Sequence, residues 1–237
     1  MRKPFRFKEF TVHQDRTAMK IGTDGVLLGA WVTISNSPES ILDIGAGTGI
    51  IGLMLAQRTY AETIDAIEIE TEAFEQCVEN FEASPWADRL FCYHAALDEF
   101  LDEVDDKYDL IISNPPFYSE EVSSGNNARD LARQNSSLPF DLLLKGASQL
   151  LSKTGIFALV IPFKEEENVL SEALKYGLYP ARLLHVMGHP DSEVKRSLLE
   201  FHFNKKPLKI SELIIEKERH EYTEDYINLT KDFYLKM

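Results

Sequence analysis

The sequence predicts an α/β domain with a mostly parallel sheet, and three observations carry that prediction. From residue 40 onward, short β-rich segments alternate with segments of helical period. A glycine-rich turn, Gly45-Ala46-Gly47-Thr48-Gly49, joins the first of these strands to the first of these helices. The 237 residues, 44% apolar and 27% charged with two cysteines, supply a sizeable core and exclude a disordered tail or a disulfide-stapled module. A single domain over 1–237 is expected, divided into a basic segment and helix (1–39), the main sheet (40–204) and a strand and helix extension (205–237).

Residues 1–22 show neither period and precede a helix whose expected N-cap is Thr23 or Asp24. Strands are expected at 40–44, 63–69, 90–94, 108–113 and 156–161, with helices between them at 49–60, 71–83, 97–104 and 139–151. The stretch 119–138, rich in Ser, Asn and Arg, is too long for an ordinary connection, and loops of that size tend to be functional or disordered. A helix at 164–176 leads to two strands, 181–187 and 198–204, around a loop holding Gly188, His189 and Pro190. Such a hairpin would set one antiparallel strand at an edge of the sheet. The end, 209–237, reads as a strand, SELIIEK, then an amphipathic helix from Asp225.

The net charge of −14 argues by itself against a nucleic-acid partner. Its distribution changes that inference. Residues 62–109 hold 16 acidic side chains against Arg89 and Lys107, which equals the whole imbalance. The first 20 residues carry Arg2, Lys3, Arg6, Lys8, Arg16 and Lys20 against Glu9 and Asp15, so one basic rim remains for a polar partner. Cys77 and Cys92 lack C-x-x-C or zinc-ligand spacing and are expected as reduced core residues, with no metal. MRKPFRFKEF lacks the apolar stretch of a secretory signal, and the smooth apolar run 155–163 is less than half of the ~20 residues that span a bilayer. A cytoplasmic protein without a membrane role is expected.

The glycine turn admits two readings. Gly47-x-Gly49-x-x-Gly52, with Glu68 at the end of the next strand, matches a dinucleotide site. Asp43 argues against it, because its carboxylate would sit near the turn where a pyrophosphate has to lie; a ligand with an ammonium, a sulfonium and no phosphate suits that charge. This D-x-G-x-G-x-G form, with an acid ending the second strand, resembles motifs I and II of the class I S-adenosylmethionine-dependent methyltransferases. The resemblance implies a Rossmann-like domain with a seven-stranded, mostly parallel sheet. It also implies S-adenosylmethionine as cofactor, Asp43, Gly45, Gly47 and Gly49 around it, and Glu68 on the ribose hydroxyls, with Glu70 left as a solvated helix-start charge. An acid after the third strand commonly meets the cofactor's adenine amine; here Ala96 stands in His94-Ala95-Ala96-Leu97-Asp98, leaving the Leu97 backbone N–H or Asp98 for that contact. His94 is expected to be a core or strand-edge residue.

Asn114-Pro115-Pro116-Phe117 follows the apolar strand that ends at Ser113. Two prolines stiffen the loop and remove two backbone donors, leaving acceptors. The Asn114 side-chain oxygen and the Pro115 carbonyl can each take one hydrogen from a planar NH₂ group, drawing out the lone pair that must attack a methyl, while Phe117 stacks on the base. The motif resembles the N-P-P-[FY] motif IV of amino-methyltransferases, whose substrates include adenine N6 in DNA and RNA, guanine N2 in ribosomal RNA and glutamine N5 in proteins. Only 42 residues precede Asp43, too few for the helical domain that glutamine enzymes usually carry there.

Further stretches narrow the resemblance: Phe5 to Phe10, Asp15 to Trp31, Arg129-Asp130-Leu131-Ala132-Arg133, Lys195-Arg196-Ser197-Leu198-Leu199 and Asp232 to Lys236. Together they resemble the bacterial valine-tRNA adenine-N6-methyltransferases, which modify the adenine just 3′ of the anticodon, position 37. This implies a tRNA partner, a monomer, and Lys20, Thr23 and Gly25 at the cofactor's methionine end. The implied step is direct in-line methyl displacement, with Asn114, Pro115 and Phe117 as the catalytic set, Asn114 also against the cofactor, and no general base or metal. Arg6, Lys8, Arg129, Arg133, Lys195 and Arg196 are the expected RNA contacts, flanking the Asn-Pro-Pro mouth.

Overall fold

The computed structural model describes residues 3–17, 20–116 and 138–237. Phe117, Arg129, Arg133 and nearly all of the long loop lie outside them. A short hairpin, β1 (Phe5–Arg6) with β2 (Thr11–Val12), precedes α1 (Thr23–Trp31). Alternating units follow: β3 (Ser40–Ile44), α2 (Ile50–Arg58), β4 (Thr63–Glu68), α3 (Thr71–Glu82), β5 (Leu90–His94), α4 (Leu97–Glu103) and β6 (Tyr108–Ser113). After the long loop come α5 (Phe140–Leu150), β7 (Leu151–Pro162), α6 (Glu166–Lys175), β8 (Tyr179–Met187), β9 (Val194–His202) and β10 (Lys209–Ile214). A second small hairpin, β11 (Glu216–Glu218) with β12 (Glu221–Tyr222), leads to α7 (Glu224–Thr230).

The main sheet has the order β10-β8-β9-β7-β6-β3-β4-β5. Successive strand residues point to opposite faces, so both faces are apolar wherever helices cover both. Ile41, Ile64, Ile112 and Val160 meet α1, α2, α3 and α7, whereas Leu42, Ile67, Ile111 and Leu159 meet α4, α5 and α6. This two-sided burial is why the strands read as continuous apolar runs such as Leu110-Ile111-Ile112.

Three expectations need correction. Among the described residues the sheet has eight strands rather than seven, since β10 pairs in parallel with β8 and carries the sheet to Ile214, past the boundary drawn at 204. The antiparallel strand is β9, and it lies inside the sheet between β7 and β8, not at an edge. The physical reason is burial: Leu198, Leu199, Glu200 and Phe201 are all at most 1% exposed, so β9 needs neighbours on both sides, while the first four residues of β10 are exposed and suit an edge. Finally, α1 is preceded by Gly22, which makes no side-chain cap, and Thr23 and Asp24 fall in its first turn.

The N-terminal segment runs alongside α3, bonded to Gln76 and Asn80. Phe5, Phe7 and Phe10 cluster with Tyr234 and Trp86, and the Lys8 backbone N–H donates to the Phe233 carbonyl at 2.8 Å. Lys8 Nζ donates to the Lys231 carbonyl at 2.6 Å, just past the end of α7. The neighbouring Asp232 carbonyl accepts from Gln57 in the last turn of α2. The hairpin therefore sits at the end of α2 remote from the glycine turn, about 12 Å away along a nine-residue helix.

Candidate active site

A cavity of about 370 Å³ opens at the carboxyl ends of β3, β4, β5 and β6. Its floor is the glycine turn. The Gly45 and Ala46 amides donate to the Ile67 carbonyl at 2.9 and 3.1 Å, and the Gly47 amide donates to Glu68 Oε2 at 2.8 Å. Gly45 (φ 74°) and Gly47 (φ 57°) occupy the left-handed region, and a Cβ on either would meet nothing within 4 Å. Both line the cavity. Gly49 (φ 77°) is different: a Cβ there would lie 2.6 Å from Phe81 Cε1 and 2.8 Å from Cys77 Sγ. It lets α2 pack on α3 and is absent from the cavity wall, so its expected cofactor contact is replaced by a packing role.

Asp43 lies beneath this turn, fully buried and off the wall, and neither carboxylate oxygen has a hydrogen-bond partner among the described residues. Burial pushes its carboxyl up to about 7; the Gly52 amide at the start of α2 holds it back without closing a bond, and the Glu68 charge adds to the rise. An unpaired buried carboxylate is costly unless something cationic sits close by. Glu68 is fixed by two amides, Gly47 on Oε2 and Glu70 on Oε1 at 2.9 Å. Glu70 caps α3 by accepting from the Ala73 amide at 2.7 Å and also lines the cavity. At the far end, the Ala96 amide donates to Glu99 Oε2, and Ala96, Leu97 and Asp98 form the wall. His94 closes β5 stacked on Phe74, at the strand edge.

On the other side, buried Ser113 donates its hydroxyl to the Ile44 carbonyl at 2.8 Å, tying the end of β6 to the end of β3. This sets Asn114, Pro115 and Pro116 into the cavity wall beside the glycine turn. Gly25 of α1 faces the Asn114 side chain; a Cβ on it would lie 3.5 Å from Nδ2. Lys20, Ile21, Gly22 and Gly25 close the top, whereas Thr23 is exposed and off the wall, one residue out of phase with the inward face of α1.

The expected RNA contacts divide. Lys195 and Arg196 open β9 at the same carboxyl end, across from Pro162 and Val186. Arg196 Nε donates to Asp24 Oδ2 at 2.7 Å, and exposed Lys195 lies 3.6 Å from Glu193. Arg6 and Lys8 are at the opposite end of the molecule, because the aromatic cluster and α7 anchor the hairpin there, and the structure does not bring them to the mouth.

Three functional candidates escape sequence reasoning: Thr17, Gln76 and Asn80. The two amides stand four residues apart on the buried face of α3, among Ala73, Cys77 and Phe81, and polar residues on an apolar helix face are the signal that could have found them. A second, open groove of about 440 Å³ between α4 and α5, lined by Asp98, Asp102, Asp105, Lys107 and Lys145, touches neither the glycine turn nor Asn114. Among the described residues no group of three or more His, Cys, Asp or Glu is placed to hold a metal, and no helix is long and apolar enough to cross a membrane. Cys77 and Cys92 are free thiols.

A family model described as "Methyltransferase small domain" matches residues 25–177. A protein of Flavobacterium johnsoniae named tRNA1(Val) (adenine(37)-N6)-methyltransferase is 59% identical over 234 residues, covering 98% of this chain and 100% of the relative. A relative of the same name from Bacteroides fragilis is 44% identical over 239 residues, covering 98% of each. Among solved structures, a predicted O-methyltransferase of Agrobacterium tumefaciens superimposes with a TM-score of 0.67 at 18% identity, over 89% of this chain and 96% of that one. A ribosomal protein L11 methylase of Lactobacillus delbrueckii gives 0.53 at 17% identity over 77% of each. At these identities the two structures speak to the fold alone.

Proposed function

The chain belongs to the tRNA1(Val) (adenine(37)-N6)-methyltransferase family, and from that premise we propose that it methylates the exocyclic N6 of adenine 37 in a valine tRNA. The observation that carries the reading is one cavity with two unlike halves. The acceptor-rich Asn114-Pro115-Pro116 edge of β6 stands beside an open glycine cradle and a clamped carboxylate.

The residues of the cavity fit S-adenosylmethionine on their own chemistry. Gly45 and Gly47 leave space where side chains would stand. Asp43 is an orphaned carboxylate under that space, suited to a cation, and Lys20 is suited to a carboxylate. Each Glu68 oxygen holds one backbone N–H and keeps a lone pair for a ribose hydroxyl. Leu97 offers its backbone at the adenine end. S-adenosylmethionine supplies, when bound, an electrophilic methyl on a sulfonium.

The chain's own residues do the rest. The Asn114 side-chain oxygen and the Pro115 carbonyl accept the two hydrogens of the target amine, orient its nitrogen and draw its lone pair out of the ring. Phe117 stacks on the base. The methylated amine is acidic enough to release its proton to water, so no residue need act as general base. Lys195 and Arg196 meet the RNA backbone beside the mouth. The same reading has 1–237 acting as a single catalytic domain, a cytoplasmic monomer.

Incubation of the purified protein with labelled cofactor and, separately, bulk tRNA, ribosomal RNA and protein, followed by mass spectrometry, tests this. N6-methyladenosine in valine tRNA is expected. Label on guanine or on glutamine, with none on tRNA adenine, would refute it.

A further inference from the structure

Thr17 is a residue the catalytic description leaves unused. It lines the cavity, it is 6% exposed, and its hydroxyl is buried with no hydrogen-bond partner among the described residues. A hydroxyl shut away from water and unpaired costs stability, so its retention calls for a partner that the described residues do not provide.

The segment that carries Thr17 is fastened with unusual care. Asn80, 1% exposed, accepts the His13 amide at 2.8 Å on Oδ1 and donates through Nδ2 to the His13 and Thr48 carbonyls, each at 2.9 Å. One side chain thus joins the N-terminal segment to the glycine turn. Gln76, equally buried, accepts the Asp15 and Arg16 amides at 3.2 and 3.3 Å. Arg16 pairs outside with Glu75 and Glu79. These bonds end one residue before Thr17.

Charge in the cavity says which part of a ligand comes here. Its acidic wall residues, Glu68, Glu70 and Asp98, come from the end of β4 and the starts of α3 and α4, whereas Lys20, its one cation among the described residues, comes from the same segment as Thr17. A ligand with an anionic end places that end against this segment.

We propose that Thr17 is a cofactor-binding residue whose hydroxyl donates to the carboxylate of the cofactor's methionine end, held there by a strap that Gln76 and Asn80 fasten to the glycine turn. The proposal rests on the cofactor reading above and adds a residue to it.

Calorimetry on the full chain with S-adenosylhomocysteine and with 5′-methylthioadenosine, which lacks the amino-acid end, separates the two. Thr17→Val keeps the shape and removes the donor. It should weaken S-adenosylhomocysteine about ten- to a hundredfold, as for a lost hydrogen bond to a charged group, and leave methylthioadenosine unchanged. The melting temperature of the ligand-free variant should hold or rise, since an unpaired buried hydroxyl is gone. Thr17→Ser, which keeps the donor, should bind nearly as the parent does. Unchanged S-adenosylhomocysteine affinity in Thr17→Val, or equal weakening of both ligands, overturns the proposal while the function stands. A parent protein that binds neither ligand overturns the cofactor reading and this inference with it.

Discussion

Replacing Asp43 by Asn removes a charge and keeps the shape, and the structure gives the change two effects of opposite sign. The carboxyl titrates near 7 in the folded protein against an ordinary value of 3.8, because it is fully buried with Glu68 facing it from β4 and only the Gly52 amide opposing. Between those values the folded state holds a proton that the unfolded chain has released, so stability falls as pH rises. The loss is absent below about pH 4 and complete above about pH 7. Three pKa units correspond to about 4 kcal/mol, or roughly 8–16 °C in melting temperature for a chain of this size. Ligand-free Asp43→Asn should therefore melt above the parent at pH 8, with an advantage that shrinks steadily toward pH 4. Its affinity for S-adenosylmethionine should fall nonetheless, because the negative charge under the glycine turn is lost. Scanning calorimetry from pH 4.5 to 8.5, paired with titration of the cofactor, measures both. A variant less stable than the parent at pH 8, or a difference that stays flat with pH, would mean that Asp43 is an ordinary paired carboxylate and would refute the reasoning.

Asn114→Ala should leave S-adenosylhomocysteine affinity within a few-fold and slow methyl transfer on the order of 10²–10³-fold, as for losing one preorganised polar contact to a transition state, read from single-turnover rates. Gly47→Val puts a branched side chain at φ 57° into the cavity and should abolish cofactor binding with the fold kept by circular dichroism. Gly49→Ala should do the reverse, costing roughly 2–5 kcal/mol of stability through its clash with Phe81 and Cys77, visible in urea melts. Lys195→Ala should weaken tRNA binding and flatten its log-log salt dependence by about one unit, while Arg6→Ala and Lys8→Ala leave that slope unchanged in filter-binding assays.

The alternation of strands and helices was legible because two-sided burial writes each parallel strand as an uninterrupted apolar run. The glycine turn, Glu68 and Asn114 were legible because each follows such a run at the carboxyl end, where the topology gathers them. The place of β9 was not. Either strand of a hairpin can pair with β7, and the choice falls on the one whose residues are buried on both faces, which depends on helices far away in sequence. Gly49 also misled: a positive φ suits both an approach to a ligand and tight helix packing, and only Phe81, 32 residues later, tells them apart. The basic N-terminus was visible as charge but not as position. Its path is set by Gln76 and Asn80 and by aromatic contacts to Trp86 and Tyr234, which no local pattern in the first 20 residues announces.

That path matters for how a chain of net charge −14 holds a polyanion. The acids of 62–109 hang mainly on β4, α3, α4 and the turn before β6. In the sheet, β7, β6 and β3 separate β4 from β9, where Lys195 and Arg196 begin. Four strand spacings are about 19 Å, more than twice the ~8 Å over which exposed charges act at physiological ionic strength. Acids on β4 and beyond are thus largely screened from RNA held at the start of β9, while Glu68, Glu70 and Asp98 stand in the cavity wall itself, so local charge decides the contact. With Arg6 and Lys8 at the opposite end and Arg196 already bonded to Asp24, few cations remain among the described residues at the mouth. On the proposed mechanism, shape and the Asn114 edge then carry much of the discrimination, so weakening phosphate contacts with salt should raise KM for tRNA more than it lowers the rate of methyl transfer once the complex has formed.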